Sequence, residues 1–220
     1  MHRQNLTAQC VKRIIDILVA GVTLVITLPI MMLVAVAIMI SLGRPVLFRQ
    51  ERPGLHGRPF DMLKFRTMSN ATDPEGQLLA DEVRLGRLGR FLRETSLDEL
   101  PELWNIVRGD MSLVGPRPLL MRYMDRYSSE QLLRFRAKPG LTGWAQIKGR
   151  NSLSWEEKLA LDCWYVDHQS TWLDVKILLL TFPLVIARRG ISAAGHSTMP
   201  EFMGNHVRQQ GDQDAANELR

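Results

Sequence analysis

The run Ile17-Leu18-Val19-Ala20-Gly21-Val22-Thr23-Leu24-Val25-Ile26-Thr27-Leu28-Pro29-Ile30-Met31-Met32-Leu33-Val34-Ala35-Val36-Ala37-Ile38-Met39-Ile40 contains no charged residue. At 1.5 Å per residue a helix of about 24 residues fills a hydrocarbon core of roughly 30 Å, so the run predicts a membrane segment. A cleaved leader has an apolar stretch of only about 7 to 15 residues and a small-residue cleavage site. This run has neither and is expected to stay in the mature protein. Pro29, at its centre, lacks an N–H and crowds the preceding turn, which predicts a kink or break. Lys12 and Arg13 precede the run and Arg44, Arg49 and Arg52 follow it, so the preference of basic flanks for the cytoplasm selects neither end. A segment that turns back at Pro29 puts both flanks, and with them Gln4 and Arg58, on the cytoplasmic side. The alternative is a single kinked span, since proline is tolerated in transmembrane helices.

Outside this segment the chain has ordinary globular character. Its 220 residues, 45% hydrophobic and 23% charged, suffice for one sizeable core and exclude a disordered tail or a mini-protein. Lys and Arg outnumber Asp and Glu by 28 to 23, for a net charge of +5, and the pI is 9.6. That balance implies an anionic partner: nucleic acid, a membrane surface or a phosphorylated substrate. Cys10 and Cys163 supply neither a metal-ligand spacing nor a disulfide framework, in keeping with a reducing compartment.

The local patterns divide the chain into an anchor over 1–43, a cytoplasmic domain over 44–200 and a polar tail over 201–220. Val46 to Phe48 and Phe60 to Phe65 are apolar-rich runs separated by Arg52-Pro53-Gly54 and His56-Gly57-Arg58-Pro59, the pattern of a β-hairpin. Ser154-Trp155-Glu156-Glu157 is a capping box ahead of a helix toward Val166, with Trp155, Leu159 and Val166 on one face. The stretch from Trp172 to Ala187 is too short to span and reads either as an interfacial helix or as a buried core helix. The arginines between Arg84 and Arg93 read mostly as a solvated face or a membrane-surface strip. The expected fold is α+β and mainly helical: a re-entrant membrane helix and a small cytoplasmic domain with a short β-hairpin and interfacial amphipathic helices.

The chemical inventory is narrowed by absences. The sequence has no P-loop, no dinucleotide-binding glycine motif, no H-E-x-x-H and no G-x-S-x-G. His2, His56, His168, His196 and His206 are scattered, and each reads as a surface or packing residue rather than a base or ligand. Ser96-Leu97-Asp98-Glu99-Leu100-Pro101-Glu102-Leu103-Trp104-Asn105 stands out. A capping box from Ser96 to Glu99 makes Pro101 the fifth helical residue, at a cost of about 3 kcal/mol. With Asp98 as N-cap, Pro101 is the third and loses nothing. Asp98 and Glu99 then lie at the positive end of a helix, where a phosphate is also welcome. In Gly115-Pro116-Arg117-Pro118 two prolines restrain one arginine, which presents its guanidinium with little entropy to lose. Pro139-Gly140-Leu141-Thr142-Gly143-Trp144-Ala145-Gln146, followed by Lys148-Gly149-Arg150-Asn151, is either a second rigid, basic element or a pair of ordinary turns.

These stretches, with Lys12-Arg13-Ile14-Ile15-Asp16, Phe48-Arg49-Gln50-Glu51-Arg52-Pro53-Gly54, Lys64-Phe65-Arg66-Thr67-Met68 and Gly109-Asp110-Met111-Ser112-Leu113-Val114, resemble the bacterial sugar transferases, the monotopic phosphoglycosyl transferases. The resemblance covers roughly residues 12 to 200. With one membrane segment the chain looks like the small members. Among them it is most similar to those acting on UDP-N,N'-diacetylbacillosamine or a related N-acetylated sugar, partly through Arg189-Gly190-Ile191-Ser192 and Gly195-His196-Ser197-Thr198. It departs from them at the membrane break, where Leu28-Pro29 stands in place of Ser-Pro. Leucine cannot bond a carbonyl released by the kink, so Thr27 or a neighbour would have to do so.

The resemblance implies transfer of a sugar-1-phosphate from a UDP-sugar to undecaprenyl phosphate with release of UMP, at the cytoplasmic face of the bacterial inner membrane. It implies a covalent aspartyl-phosphosugar intermediate on Asp98 beside Glu99, Mg²⁺ at Asp98, and phosphate binding by Lys64, Arg93, Arg117 and Arg150. Other glycan-pathway enzymes are conceivable partners. A membrane-anchored binding or scaffold protein, in which Asp98 and Glu99 merely cap a helix, is the competing reading. A nucleic-acid binder is weaker still, because no helix-turn-helix, zinc finger or aromatic RNA motif is visible.

Overall fold

The computed structural model describes residues 6–149, 153–186 and 201–204. Helix α1 (Leu6–Ser41) runs for 36 residues and contains Pro29, so the expected break does not divide the element. Pro29 has no N–H for the Val25 carbonyl. The Thr27 hydroxyl donates instead to the Thr23 carbonyl at 2.7 Å and lies 3.4 Å from that of Leu24. It therefore back-bonds a turn earlier and does not replace the missing donor.

Burial along α1 follows one stripe. Asp16, Ala20, Val34 and Ile38 are buried, and Leu24 and Met31 are half-buried between them. Leu18, Val22, Val25, Ile26, Leu33, Val36 and Ile40 are exposed. Ala20 and Leu24 pack with Leu103, Ile106, Leu113 and Ile177, whereas Val34 and Ile38 pack with Phe65 and Leu92. Both halves of α1 thus rest on the same body. Polar contacts hold its ends. Lys12 Nζ pairs with Asp174 at 2.6 Å, and Arg13 donates to the Ile106 and Val107 carbonyls at 2.6 and 2.7 Å. Arg66 donates to the carbonyls of Leu42, Gly43 and Arg44 just beyond the other end.

Strand β1 (Leu47–Pro53) pairs antiparallel with β2 (Pro59–Phe65), Phe48 opposite Lys64 and Pro53 opposite Pro59. The predicted hairpin is present, and its first strand continues through the polar residues Arg49–Arg52, which periodicity alone does not mark as a strand. Helices α2 (Asp81–Arg84) and α3 (Arg87–Glu94) follow, then a 3₁₀ turn over Leu97–Glu99 and α4 (Glu102–Arg108). Asn105, fully buried on α4, ties the helix to the hairpin. It accepts from Leu63 N at 3.0 Å and donates to the Asp61 carbonyl at 2.7 Å.

A parallel pair, β3 (Ser112–Val114) with β4 (Gly140–Thr142), brings together the two glycine-punctuated stretches. The approach needs glycine, because a Cβ on Gly140 would stand 2.1 Å from the Gly115 nitrogen. Asp16 reaches into this pair, accepting from Ser112 Oγ at 2.8 Å and Leu113 N at 3.1 Å.

Helix α5 (Trp144–Lys148) leads to α6 (Trp155–His168), which opens on the expected reciprocal capping box of Ser154 and Glu157. In α7 (Thr171–Ile186) Ile177 is fully buried while Trp172, Leu179 and Phe182 are exposed. The helix therefore has one face in the core and a second apolar face outside it. The folded body extends into the stretch expected to be a polar tail: Phe202 is buried against Tyr123, Tyr127 and Trp155, and Arg126 pairs with Glu201 at 2.9 Å.

Candidate active site

Asp98 and Glu99 lie in the 3₁₀ turn between α3 and α4. Ser96 adopts the left-handed conformation, with φ 57°, and turns the chain; α4 begins only at Glu102, after Pro101. The expectation that Asp98 caps a helix with Pro101 as its third residue is therefore corrected. Leu100 closes the 3₁₀ turn, Pro101 occupies the cap position of α4 itself, and neither carboxylate makes a side-chain cap bond at either start. Any anion here is met by side chains, not by a helix end.

Those side chains come from three elements. Lys64 on β2 places Nζ 2.8 Å from Glu99 Oε1 and 3.1 Å from Glu102 Oε1. The second is a charge contact without hydrogen-bond geometry. Arg117, after β3, places Nη2 2.6 Å from the same Glu99 oxygen with 43% of its side chain exposed. Arg93 on α3 donates through Nε to Thr67 Oγ1 at 3.1 Å and lies within electrostatic reach of Asp98. This close packing of α3 depends on Gly89, whose added Cβ would stand 1.8 Å from the Thr67 carbonyl oxygen. Arg87 and Arg90 face solvent, as the solvated-face reading expects. The structure thus brings Asp98, Glu99, Lys64, Arg93 and Arg117 together. Arg150, the remaining expected phosphate ligand, lies outside the described residues, as do the two stretches between Arg189 and Thr198.

The two adjacent carboxylates are in unlike states. Burial pushes the Glu99 carboxyl up, but Arg117 and Lys64 outweigh it and hold the group well below the usual carboxylate range. Asp98 is only 8% exposed and, among the described residues, makes no hydrogen bond or ion pair. Burial, reinforced by the neighbouring Glu99 charge, pushes it up to about 6 against the pull of Lys64, Arg117 and Arg93. A carboxylate largely removed from water and, among the described residues, without a donor is a better nucleophile than a paired one.

Two further residues belong to the site and escape the sequence reading. Glu102 is 2% exposed, and burial pushes its carboxyl up to about 7. Arg52 is lowered to about 10 by burial and by Arg117, and its buried Nε has no hydrogen-bond partner among the described residues. The only hint of Glu102 was its place four residues from Asp98, and Arg52 was hidden in a polar strand.

Among the described residues no three His, Cys, Asp or Glu side chains form a metal cage. Mg²⁺ does not need one, since it binds through one or two carboxylates together with substrate phosphates and water. The Asp98 carboxylate, unpaired among the described residues, fits that donor set.

The Asp98–Glu99 turn, its cations and the glycine-dependent β3–β4 pair all fall within residues 7–188, which match the bacterial sugar transferase family model. The chain belongs to that family and is a sugar-phosphate transferase. It is 50% identical over 194 residues to the uncharacterized sugar transferase EpsL of Bacillus subtilis, covering 88% of this chain and 96% of that protein. It is 42% identical over 185 residues to the UDP-glucose:undecaprenyl-phosphate glucose-1-phosphate transferase of Caulobacter vibrioides, covering 80% and 69%. To the exopolysaccharide production protein ExoY of Rhizobium meliloti it is 37% identical over 196 residues, covering 81% and 87%. It spans only 42% of the UDP-galactose-lipid carrier transferase of Erwinia amylovora.

Proposed function

We propose that the enzyme moves a sugar-1-phosphate from a UDP-sugar to undecaprenyl phosphate through a covalent intermediate on Asp98, and so starts glycan assembly on a lipid carrier. The observation that carries this reading is the unlike state of the two carboxylates: Glu99 is neutralised by Lys64 and Arg117, while Asp98 is buried and unpaired among the described residues. In the first step an Asp98 oxygen attacks the sugar-bearing phosphorus, the bond to the bridging oxygen breaks, and UMP leaves with the electron pair. In the second step a phosphate oxygen of the lipid attacks the same phosphorus and frees the Asp98 carboxylate. Two polyanions then never share the site at one time. Arg117, Lys64 and Arg93 neutralise charge on the transferring group, with Glu99 fixing the first two. Bound Mg²⁺, held by Asp98 and the diphosphate, would offset the charge of the departing UMP.

The substrates in the Caulobacter relative's name support the general reaction, and the sequence resemblance favours an N-acetylated sugar as donor. The membrane reading rests on α1. A straight helix of 36 residues is about 54 Å long, well beyond a core of roughly 30 Å. Its buried stripe lies on one globular body at both ends, which supports an anchor that keeps both ends on one side over a span that parts them across a bilayer. A re-entrant anchor in the cytoplasmic leaflet of the inner membrane accommodates both contacts and gives the exposed apolar faces of α1 and α7 to lipid. The scaffold reading loses its support, because Asp98 and Glu99 cap no helix.

The test is UMP release from a panel of UDP-sugars, N-acetylated and not, with undecaprenyl phosphate, with and without Mg²⁺. Asp98→Asn should abolish both UMP release and any trapped phosphosugar adduct. Near-normal turnover in that variant would refute the nucleophile, and no UMP from any donor would refute the reaction.

A further inference from the structure

We propose that the buried pair Asp162–Arg134 is a positioning device for Arg117. Arg134, in the 3₁₀ segment Gln131–Arg136, is 2% exposed, and Asp162 on α6 is 5% exposed. Arg134 Nη2 and Nε donate to Asp162 Oδ2 at 2.7 and 3.2 Å. The same Nη2 donates to the backbone carbonyl of Arg117 at 2.6 Å. Two aromatic rings flank the guanidinium, with Phe135 at 5.2 Å and Tyr127 at 5.8 Å, and keep it in place. At the other end of Arg117 the side chain meets Glu99 at 2.6 Å. The residue is therefore gripped twice, at its carbonyl by Arg134 and at its guanidinium by Glu99.

The first grip is needed because of the prolines. Neither Pro116 nor Pro118 has an N–H, so this stretch offers a single backbone donor, that of Arg117, where three ordinary residues would offer three. β3 ends at Val114, and the ladder's last backbone contacts are Gly115 N to the Thr142 carbonyl at 2.9 Å and Gly140 N to the Pro116 carbonyl at 3.0 Å. The ladder stops one residue short of Arg117, and beyond it the Arg117 carbonyl is fixed by the donor that Arg134 supplies. A buried ion pair adds little net stability over a well-packed apolar pair, because desolvation offsets its attraction. Placing such a pair behind a phosphate-binding arginine makes sense for orientation, since small misplacements of charge-stabilising groups are costly in rate. Arg134 and Asp162 touch no reacting atom and act through Arg117. The inference rests on the reading of Arg117 as a catalytic phosphate ligand.

The experiment is a double-mutant cycle on the full chain in detergent, read as kcat/KM for UMP release and accompanied by melting curves. Arg134→Lys keeps a positive charge for Asp162, but one ammonium cannot reproduce the fork that holds both Asp162 and the Arg117 carbonyl. It is expected to lower kcat/KM by about 10- to 100-fold, as loss of an orienting partner does, while the protein stays folded at the assay temperature. In an Arg117→Ala background the same change should cost less than about threefold, since its target is gone. An equal loss in both backgrounds, or wild-type activity in Arg134→Lys alone, overturns the inference. Should Arg134→Lys not fold, Asp162→Asn goes through the same cycle with the same non-additivity expected. Wild-type turnover in Arg117→Ala would sink the reading of Arg117 itself, an outcome distinct from multiplying losses.

Discussion

Asp98→Asn is expected to inactivate the enzyme and to stabilise it at alkaline pH. Asp98 is 8% exposed, and burial with the Glu99 charge raises its pKa from 3.8 to about 6. The unfolded chain returns it to its ordinary value. Above about pH 6 the native state therefore keeps a carboxylate that would be less costly in water. A tenfold change in proton affinity is worth about 1.4 kcal/mol, so the full cost is roughly 3 kcal/mol, less whatever the coupled Glu99 site relaxes. Below about pH 4 the group is neutral in both states and the cost vanishes; it grows as pH rises past the unfolded value and is complete once pH exceeds the folded one. Asparagine never ionises. The variant should match the wild type near pH 4 and exceed it by several degrees in Tm near pH 8, at about 2 to 4 °C per kcal/mol for a chain of this size. The assay is thermal unfolding of both proteins in detergent with a chelator present, across that pH range. A Tm at pH 8 equal to or below the wild type, or a gain that does not change with pH, would refute the electrostatic account of the site.

Arg117→Lys should lower kcat/KM by about 100-fold or more, because an ammonium cannot reproduce the fork. With 43% of the side chain exposed, its stability should change by less than about 1 kcal/mol; parallel losses of activity and Tm would mark it as structural instead. Gly140→Ala should destabilise the protein by at least about 2 kcal/mol, since the new Cβ meets backbone at 2.1 Å and neither strand can yield; an unchanged Tm would show that β3 and β4 are not so close. In a Cys163→Ser protein, exposed Cys10 and an added Arg58→Cys should both resist a membrane-impermeant thiol reagent in intact spheroplasts and both react after lysis. Labelling of Cys10 alone before lysis would establish a span, and Pro29→Ala is the change expected to push the chain toward it.

Features that announce themselves locally were legible in the sequence. Proline and glycine bracket the hairpin, the box from Ser154 to Glu157 starts α6, and the pairs Asp98-Glu99 and Pro116-Arg117-Pro118 stand apart from their surroundings. Features made by distant contacts were not. β3 and β4 have three residues each, too few for a period of two to show, and pair across a long separation through glycines that carry no hydrophobic signal. Glu102 looks like a helix-surface residue until Lys64 arrives from the hairpin. In α1 the core-facing Ala20, Val34 and Ile38 are chemically the same as the outward-facing Val22, Val36 and Ile40, so no polar alternation reveals the stripe. Pro101 misled the helix start because its missing N–H suits both the third helical position and the cap position it occupies.

Helix α1 and the Asp98–Glu99 turn are packed as one unit, and on the proposed function this bears on how the enzyme meets a lipid. Leu97, next to Asp98, and Leu100, next to Glu99, pack on the cluster that contains Val34 and Ile38 of α1. Nearer the start of the helix, Asp16 holds β3 by two hydrogen bonds, and β3 leads within three residues to Arg117. Asp98 and Arg117 are therefore indexed to the two ends of the same apolar helix. With the exposed face of that helix in one leaflet, the depth of Asp98 relative to the lipid phosphates follows from side-chain packing rather than from a flexible tether. A soluble domain on a linker would have to find a membrane-bound acceptor anew in each turnover. On the proposed mechanism, a domain seated on its anchor would offer the acyl phosphate at a constant height, and an acceptor diffusing in the bilayer would have only two dimensions to search.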